Sequence, residues 1–208
     1  MVSLERIRDL IQDGRFEDVY RLLAGDPALP ENEEAARLLA LACMRMGKYG
    51  EAADYYELVA KKSNDPEDWF NLAMARIMAE DVVHGVVAIE EAKRRWTKGK
   101  MTVPMMLFHV IGALLDRGCW DAAKRYLEEL AAVYVEAGRT DDAFLFSQNL
   151  PFFGWFINAV IRAHKGSFSE KAGVAWLKSL APRLDEEGQR KIAAAIRLLS
   201  AGETRKTE

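Results

Sequence analysis

The chain has 208 residues, half of them hydrophobic and 29% charged, which is the composition of a folded globular protein and excludes an intrinsically disordered one. Its 29 basic and 32 acidic residues leave a net charge of −3, so the balance gives no general attraction to nucleic acid or anionic lipid. Two cysteines, Cys43 and Cys119, stand 76 positions apart without zinc-ligand spacing, and read as reduced thiols of a cytoplasmic protein. The charged start, with Glu5, Arg6, Arg8 and Asp9, does not read as a signal peptide. The longest apolar run, Leu150 to Ile161, is broken by Asn158 and falls short of the ~20 residues that span a bilayer. No membrane insertion and no cofactor are expected.

Apolar spacing of period 3.6 and capping signals predict helices over 3–12, 16–24, 31–46, 50–62, 66–79, 82–96, 104–117, 120–136, 140–149, 152–164, 169–181 and 186–200, with no strand. The first pair turns at Gly14, followed by Phe16, Val19 and Leu23, with Arg6 standing at an apolar position. The second pair turns at Gly47-Lys48-Tyr49-Gly50-Glu51-Ala52 and continues to Tyr56. Asp65-Pro66-Glu67-Asp68 then reads as an N-cap, a proline at the first helical position and acids in the first turn. Shifting the second pair by 33 residues matches Leu72-Ala73, Gly85, Ile89 and Ala92, with Glu80 where the turn glycine belongs and Val82 in place of the aromatic. A further 38 residues lead to Gly118, Trp120, Ala123 and Leu127, the extra five lying within Lys98 to Val103. In each pair the turn residue ends a helix by taking positive φ, the bulky residue after it plugs the joint, and the small one (Ala52, Gly85, Ala123) lets helices approach.

The pattern weakens after residue 135. Glu136 to Ala143 reads as a turn, and Trp155, Ala159, Gly166 and Phe168 fit one more degenerate repeat. Ser167-Phe168-Ser169-Glu170 reads as a capping box, Pro182 as a helix stop, and Asp185 as the cap of a last helix with Arg190, Lys191 and Arg197 on its polar face. The tail 202–208 is expected to be disordered.

The segment Ala36 to Ala92 resembles two tandem tetratricopeptide repeats, with the resemblance best over residues 33–96. Trp69-Phe70-Asn71-Leu72-Ala73 stands where that family has its aromatic, leucine and small residue, and Gly47 to Ala52 is similar to its inter-helix turn. The resemblance implies an all-α, right-handed α-solenoid of about 11–12 helices in stacked antiparallel hairpins. One superhelical domain would span 1–201, regular over 1–135, with a degenerate repeat and capping helices over 136–201. It also implies a non-enzymatic scaffold whose concave face, lined by the first helix of each pair, takes a segment of another protein.

Helical spacing places Arg37, Leu41 and Met44 on one such stripe, Phe70, Met74, Ile77 and Met78 on the next, and Met105 and Phe108 on the third. Glu34, Arg45, Glu67, Gly112, Leu115 and Asp116 flank them. Methionine-rich apolar surfaces adapt to varied partners, and such a groove suits an amphipathic helix or apolar peptide. The same stripe suits burial against the chain's own C-terminal helices, or in a homo-oligomer. Family members that clamp a C-terminal carboxylate use Lys, Asn and Arg; here Leu41 and Met74 stand at clamp positions and only Arg37 and Asn71 fit. Members that act as chaperones of secreted translocators have a more apolar groove, nearer to this one.

Three other features have two readings each. Lys93-Arg94-Arg95-Trp96-Thr97-Lys98-Gly99-Lys100 is either a phosphate-contacting patch with Trp96 stacking on a base, or a helix C-terminus whose cations offset the dipole. Phe152-Phe153-Gly154-Trp155-Phe156 is either core or an interface. The third, His109, lies beside Phe108 and is either a lone acid–base group or, lacking any partner residue in the sequence, an isolated side chain. His84, His109 and His164 are isolated, and no nucleophile, metal-ligand or phosphate-loop motif occurs. Hence no catalytic residue, metal or nucleic acid is expected.

Overall fold

The computed structural model describes residues 3–63, 65–96 and 101–201. Among these are twelve α-helices and no strand: α1 (Leu4–Gln12), α2 (Phe16–Leu23), α3 (Glu33–Arg45), α4 (Tyr49–Lys62), α5 (Pro66–Met78), α6 (Val82–Arg95), α7 (Val103–Asp116), α8 (Trp120–Ala137), α9 (Asp142–Ser147), α10 (Phe153–Gly166), α11 (Glu170–Leu180) and α12 (Glu186–Ser200). Short 3₁₀ turns, Leu29–Glu31 and Ala181–Arg183, precede α3 and follow α11. The chain forms two compact units, Met1–Gly99 and Lys100–Glu208.

The caps explain several of the helix starts. Asp65 Oδ1 accepts from the Glu67 amide and Pro66 opens α5, as the sequence requires. Asn32, Thr102, Asp141 and Asp185 accept in the same way from Ala35, Met105, Phe144 and Gly188. Each such cap is worth about 1 kcal/mol.

One joint recurs six times among the described residues. Residues 14, 47, 80, 118, 149 and 168 all have positive φ. In each case the next amide donates to a carbonyl five residues back: Arg15 to Leu10, Lys48 to Cys43, Asp81 to Arg76, Cys119 to Leu114, Leu150 to Leu145 and Ser169 to His164, all at 2.8–2.9 Å. The paired bond closes three residues back, for example from Gly47 to Met44. This is the Schellman arrangement, which satisfies the last carbonyls of one helix with main-chain donors alone. At the first four joints the residue after the turn repeats nearly the same dihedrals, −84°/58° at Arg15, −82°/60° at Lys48, −89°/65° at Asp81 and −86°/60° at Cys119, whereas Ser169 takes −121°/37°.

The sixth joint falls two residues beyond the glycine of its degenerate repeat. Phe168, not Gly166, takes the left-handed conformation, at φ 52°. Ser167 is the C-cap of α10, and Ser169 makes no side-chain bond to the start of α11, so no capping box forms. Gly166 is small for another reason: a Cβ there would lie 2.4 Å from the Trp120 ring. The small residue four positions after Ser169 is Gly173, whose Cβ would meet the His164 ring at 2.6 Å. Gly85 plays the same part in the N-terminal unit, where a Cβ would lie 2.7 Å from Ile77 Cγ1.

In the N-terminal unit, α2 to α6 each pack on the preceding helix, and α1 also meets α3. Ile7, Leu10, Val19, Leu39, Val59 and Ile89 are buried, whereas Arg6 is exposed, so it occupies no core position. In the C-terminal unit, α10 is central and packs on α7, α8, α11 and α12. Tyr134, Phe153 and Phe156 form a fully buried aromatic cluster with centroids 4.9–5.3 Å apart. Tyr134 also donates its hydroxyl to the Pro151 carbonyl at 2.8 Å. The aromatic run is therefore largely core, with Phe152 left exposed. Thr140 ties the 138–141 turn to α12: its amide and hydroxyl donate to the two Asp185 oxygens at 2.9 and 2.6 Å.

The five-residue insertion and the 202–208 tail lie wholly or partly outside the described residues.

Candidate protein-binding surface

The residues read from the sequence as a groove separate into three groups. Leu41 and Met44, one turn apart on α3, and Met74 and Met78, one turn apart on α5, are half-buried, each with part of its side chain open to solvent. Phe70 and Ile77 are not surface residues: their exposures are 7% and 0%. Ile77 points at the notch left by Gly85 on α6. Since α5 packs against both α4 and α6, its apolar stripe is wider than one face, and spacing alone over-assigned it to the surface.

Arg37 is committed elsewhere. Its Nε and Nη2 donate to the two oxygens of Asp68 at 2.8 and 2.7 Å. Asp68 is buried and also accepts from the Ser63 hydroxyl, and Glu33 accepts from the same Arg37 Nη2 at 3.4 Å. The Asp68 hydrogen bond holds the Arg37 pKa above its ordinary value, against the opposing cost of burial. This fork joins α3 to α5, as the Arg8–Glu34 pair joins α1 to α3. Arg37 is thus a structural ion pair, which removes one of the two residues that would suit a carboxylate clamp.

Met105 and Phe108 belong to the C-terminal unit. Met105 is half-buried, and Phe108 packs on Trp155 of α10 with centroids 4.3 Å apart. At Phe108, then, the stripe is covered by the chain's own later helix. His109 sits edge-on to Phe108 at 5.0 Å.

The basic cluster at the end of α6 is held by acids one turn earlier. Lys93 pairs with Glu90, and Arg94 and Arg95 with Glu91. Arg95 also lies over the Trp69 ring, 4.6 Å from its centroid. This is the arrangement of a neutralised helix C-terminus; Thr97 to Lys100 lie outside the described residues. Burial raises the Cys43 thiol to about 11, so it stays protonated and unreactive at neutral pH.

Among the described residues no three His, Cys, Asp or Glu side chains converge to hold a metal, and no helix is long and apolar enough to cross a membrane. What the fold presents is an all-helical protein with a recurring joint and a modest apolar surface on α3 and α5. No family model matches the chain, and neither a curated protein nor a solved structure matches it.

Sequence reasoning passed over one polar site. His164 lies in a cleft of the C-terminal unit among Lys124, Glu128 and Trp176. Those partners come from α8 and α11, too distant along the chain to register as a motif.

Proposed function

We propose that this chain is a tetratricopeptide-like protein-binding scaffold without catalytic activity, its helix pairs stacking as antiparallel hairpins in a right-handed solenoid. The surface formed by Leu41, Met44, Met74 and Met78 would take the apolar side of a helix or an extended peptide from another cytoplasmic protein. The observation that carries this reading is the joint repeated at residues 14, 47 and 80. It supports reading α1, α3 and α5 as equivalent members of successive pairs, with Leu41 and Met74 at corresponding positions 33 residues apart. Four flexible or branched apolar side chains, half-open to solvent, favour adaptable apolar contact over chemistry.

The test is affinity capture from the native source with the wild-type chain and with Leu41→Asp/Met74→Asp. Capture of a defined partner that is lost in the double variant, with helicity retained by far-UV circular dichroism, supports the proposal. Equal capture by both chains overturns the assignment of the surface. Phe70→Asp is unsuitable as a control, because it would place a charge in the core.

A second reading, self-assembly, is favoured by Val83 and Val87, which stand one turn apart on α6 at 74% and 56% exposure. Sedimentation across a hundredfold concentration range separates the two: a monomer throughout removes self-assembly.

A further inference from the structure

The C-terminal unit contains a cleft of about 240 Å³ between α8, α10 and α11, lined by Lys124, Leu127, Glu128, His164, Ala172 and Trp176. Its floor is unusually well defined. Gly173 leaves no room for a Cβ against the His164 ring, so the imidazole is seated tightly on α11. The ring is then oriented by a hydrogen-bond chain whose direction follows from its end. Ser167 Oγ donates to the Ala163 carbonyl at 2.8 Å. Its proton is used there, so in the Ser167–Ser169 pair, 2.7 Å apart, Ser169 is the donor. Ser169 Oγ can then only accept from His164 Nδ1, 2.9 Å away. The Ser169 carbonyl, an acceptor with no proton to give, lies 3.2 Å from the same nitrogen. The proton is therefore on Nδ1, and Nε2 carries a lone pair.

Burial and, next, the Lys124 cation hold the His164 pKa below its ordinary value, with smaller opposing contributions from the Ser169 backbone, Glu170 and Glu128. The imidazole is thus neutral at physiological pH and offers Nε2 as an acceptor. Trp176 is tilted 38° to it with centroids 6.4 Å apart, and both rings line the cleft. The Lys124 ammonium is bonded to Asp121, whose side chain is 91% exposed, a surface pair that an incoming anion can replace at little cost.

We propose that this cleft binds a compact aromatic acid bearing a hydrogen-bond donor: the ring lies against Trp176 and Leu127, the donor bonds to His164 Nε2, and the acidic group pairs with Lys124. The volume admits one or two fused rings and little more. A free aromatic acid and a peptide ending in tryptophan share this chemistry, and the experiment separates them. The site is independent of the α3/α5 surface.

The chain holds three histidines, so imidazole nitrogen resonances of the ¹⁵N-labelled protein can be assigned directly. The full-length protein is titrated with indole-3-acetate, its 1-methyl derivative, and Ala-Ala-Trp with a free C-terminus. The expected result begins with a free His164 in the Nδ1–H form. Indole-3-acetate should then shift Nε2 saturably, and the methylated probe should bind about tenfold more weakly for want of its donor. Lys124→Ala should weaken indole-3-acetate by about fivefold or more. Ala172→Phe, at an exposed position on the cleft wall, should abolish the shift without touching the core. Saturation by indole-3-acetate alone identifies a free acid, and saturation by the tripeptide as well identifies a chain terminus. No shift with any probe at about 10 mM, a weak-fragment limit, overturns the proposal. So does a shift that Ala172→Phe leaves unchanged, or one that methylation of the probe does not weaken.

Discussion

Glu80 occupies the left-handed position of the third joint, at φ 67°, where the first, second and fourth joints have Gly14, Gly47 and Gly118 at 70–75°. A non-glycine residue there costs about 1–2 kcal/mol from the clash of Cβ with the backbone. Glu80→Gly removes that strain but gives the unfolded chain more freedom, which returns about 0.4–1 kcal/mol. Glu80 is exposed, so solvent screens the interaction of its carboxylate to about a few tenths of a kcal/mol. The net expectation is a gain of about 0.5–1 kcal/mol. With a urea m-value of roughly 1.5 kcal/mol/M, the unfolding midpoint followed by circular dichroism should rise by about 0.3–0.7 M with m unchanged. Gly47→Ala is the mirror experiment: a Cβ at Gly47 meets nothing within 4 Å, so its cost is backbone strain alone, and the midpoint should fall by a similar amount. A midpoint for Glu80→Gly that stays put or falls would refute the reasoning, because it would mean position 80 is not strained in the way its siblings imply.

Other outcomes follow from the same geometry. Gly166→Ala should cost about 2–3 kcal/mol, since its new methyl falls on a rigid indole rather than on a flexible side-chain end; thermal unfolding measures it. Asp68→Ala should cost about 2–3 kcal/mol by leaving the Arg37 guanidinium and Ser63 hydroxyl without their shared acceptor, read in the same urea titration. Burial raises the Asp185 pKa, but hydrogen bonds from Thr140 and the Gly188 amide outweigh it and hold the folded value below the ordinary one. Asp185 therefore stabilises the fold above about pH 4 and loses that contribution as pH falls through its depressed value. Asp185→Asn should be less stable at pH 7, with a smaller further loss between pH 5 and about pH 2 when midpoints are compared with those of the wild type.

The helices were legible because period and caps agreed: every one of the twelve expected segments is a helix, with ends within two residues of those read from the sequence. Spacing alone located the joint at Glu80, although glycine is missing there. It failed at Phe168, since a glycine two residues earlier looked like the turn but serves Trp120 of another helix. The candidate surface was legible only in part. Periodicity says which side chains share a face; it does not say whether a neighbouring helix covers that face. Ile77 is covered by α6, and Phe108 by Trp155. Arg37 looked available because its buried counter-charge lies 31 residues away. The imidazole of His164 looked solitary for the same reason.

Because each joint is closed by main-chain bonds, the joints at 47 and 80 keep one geometry although their side chains differ. Excising residues 48–80 would splice Gly47 to Asp81, and Asp81 already holds, within 7°, the dihedrals of the residue it replaces. The N-terminal unit is in this sense a ruler with 33-residue graduations: shortening it by a whole graduation leaves a native splice, whereas removing a fraction of one does not.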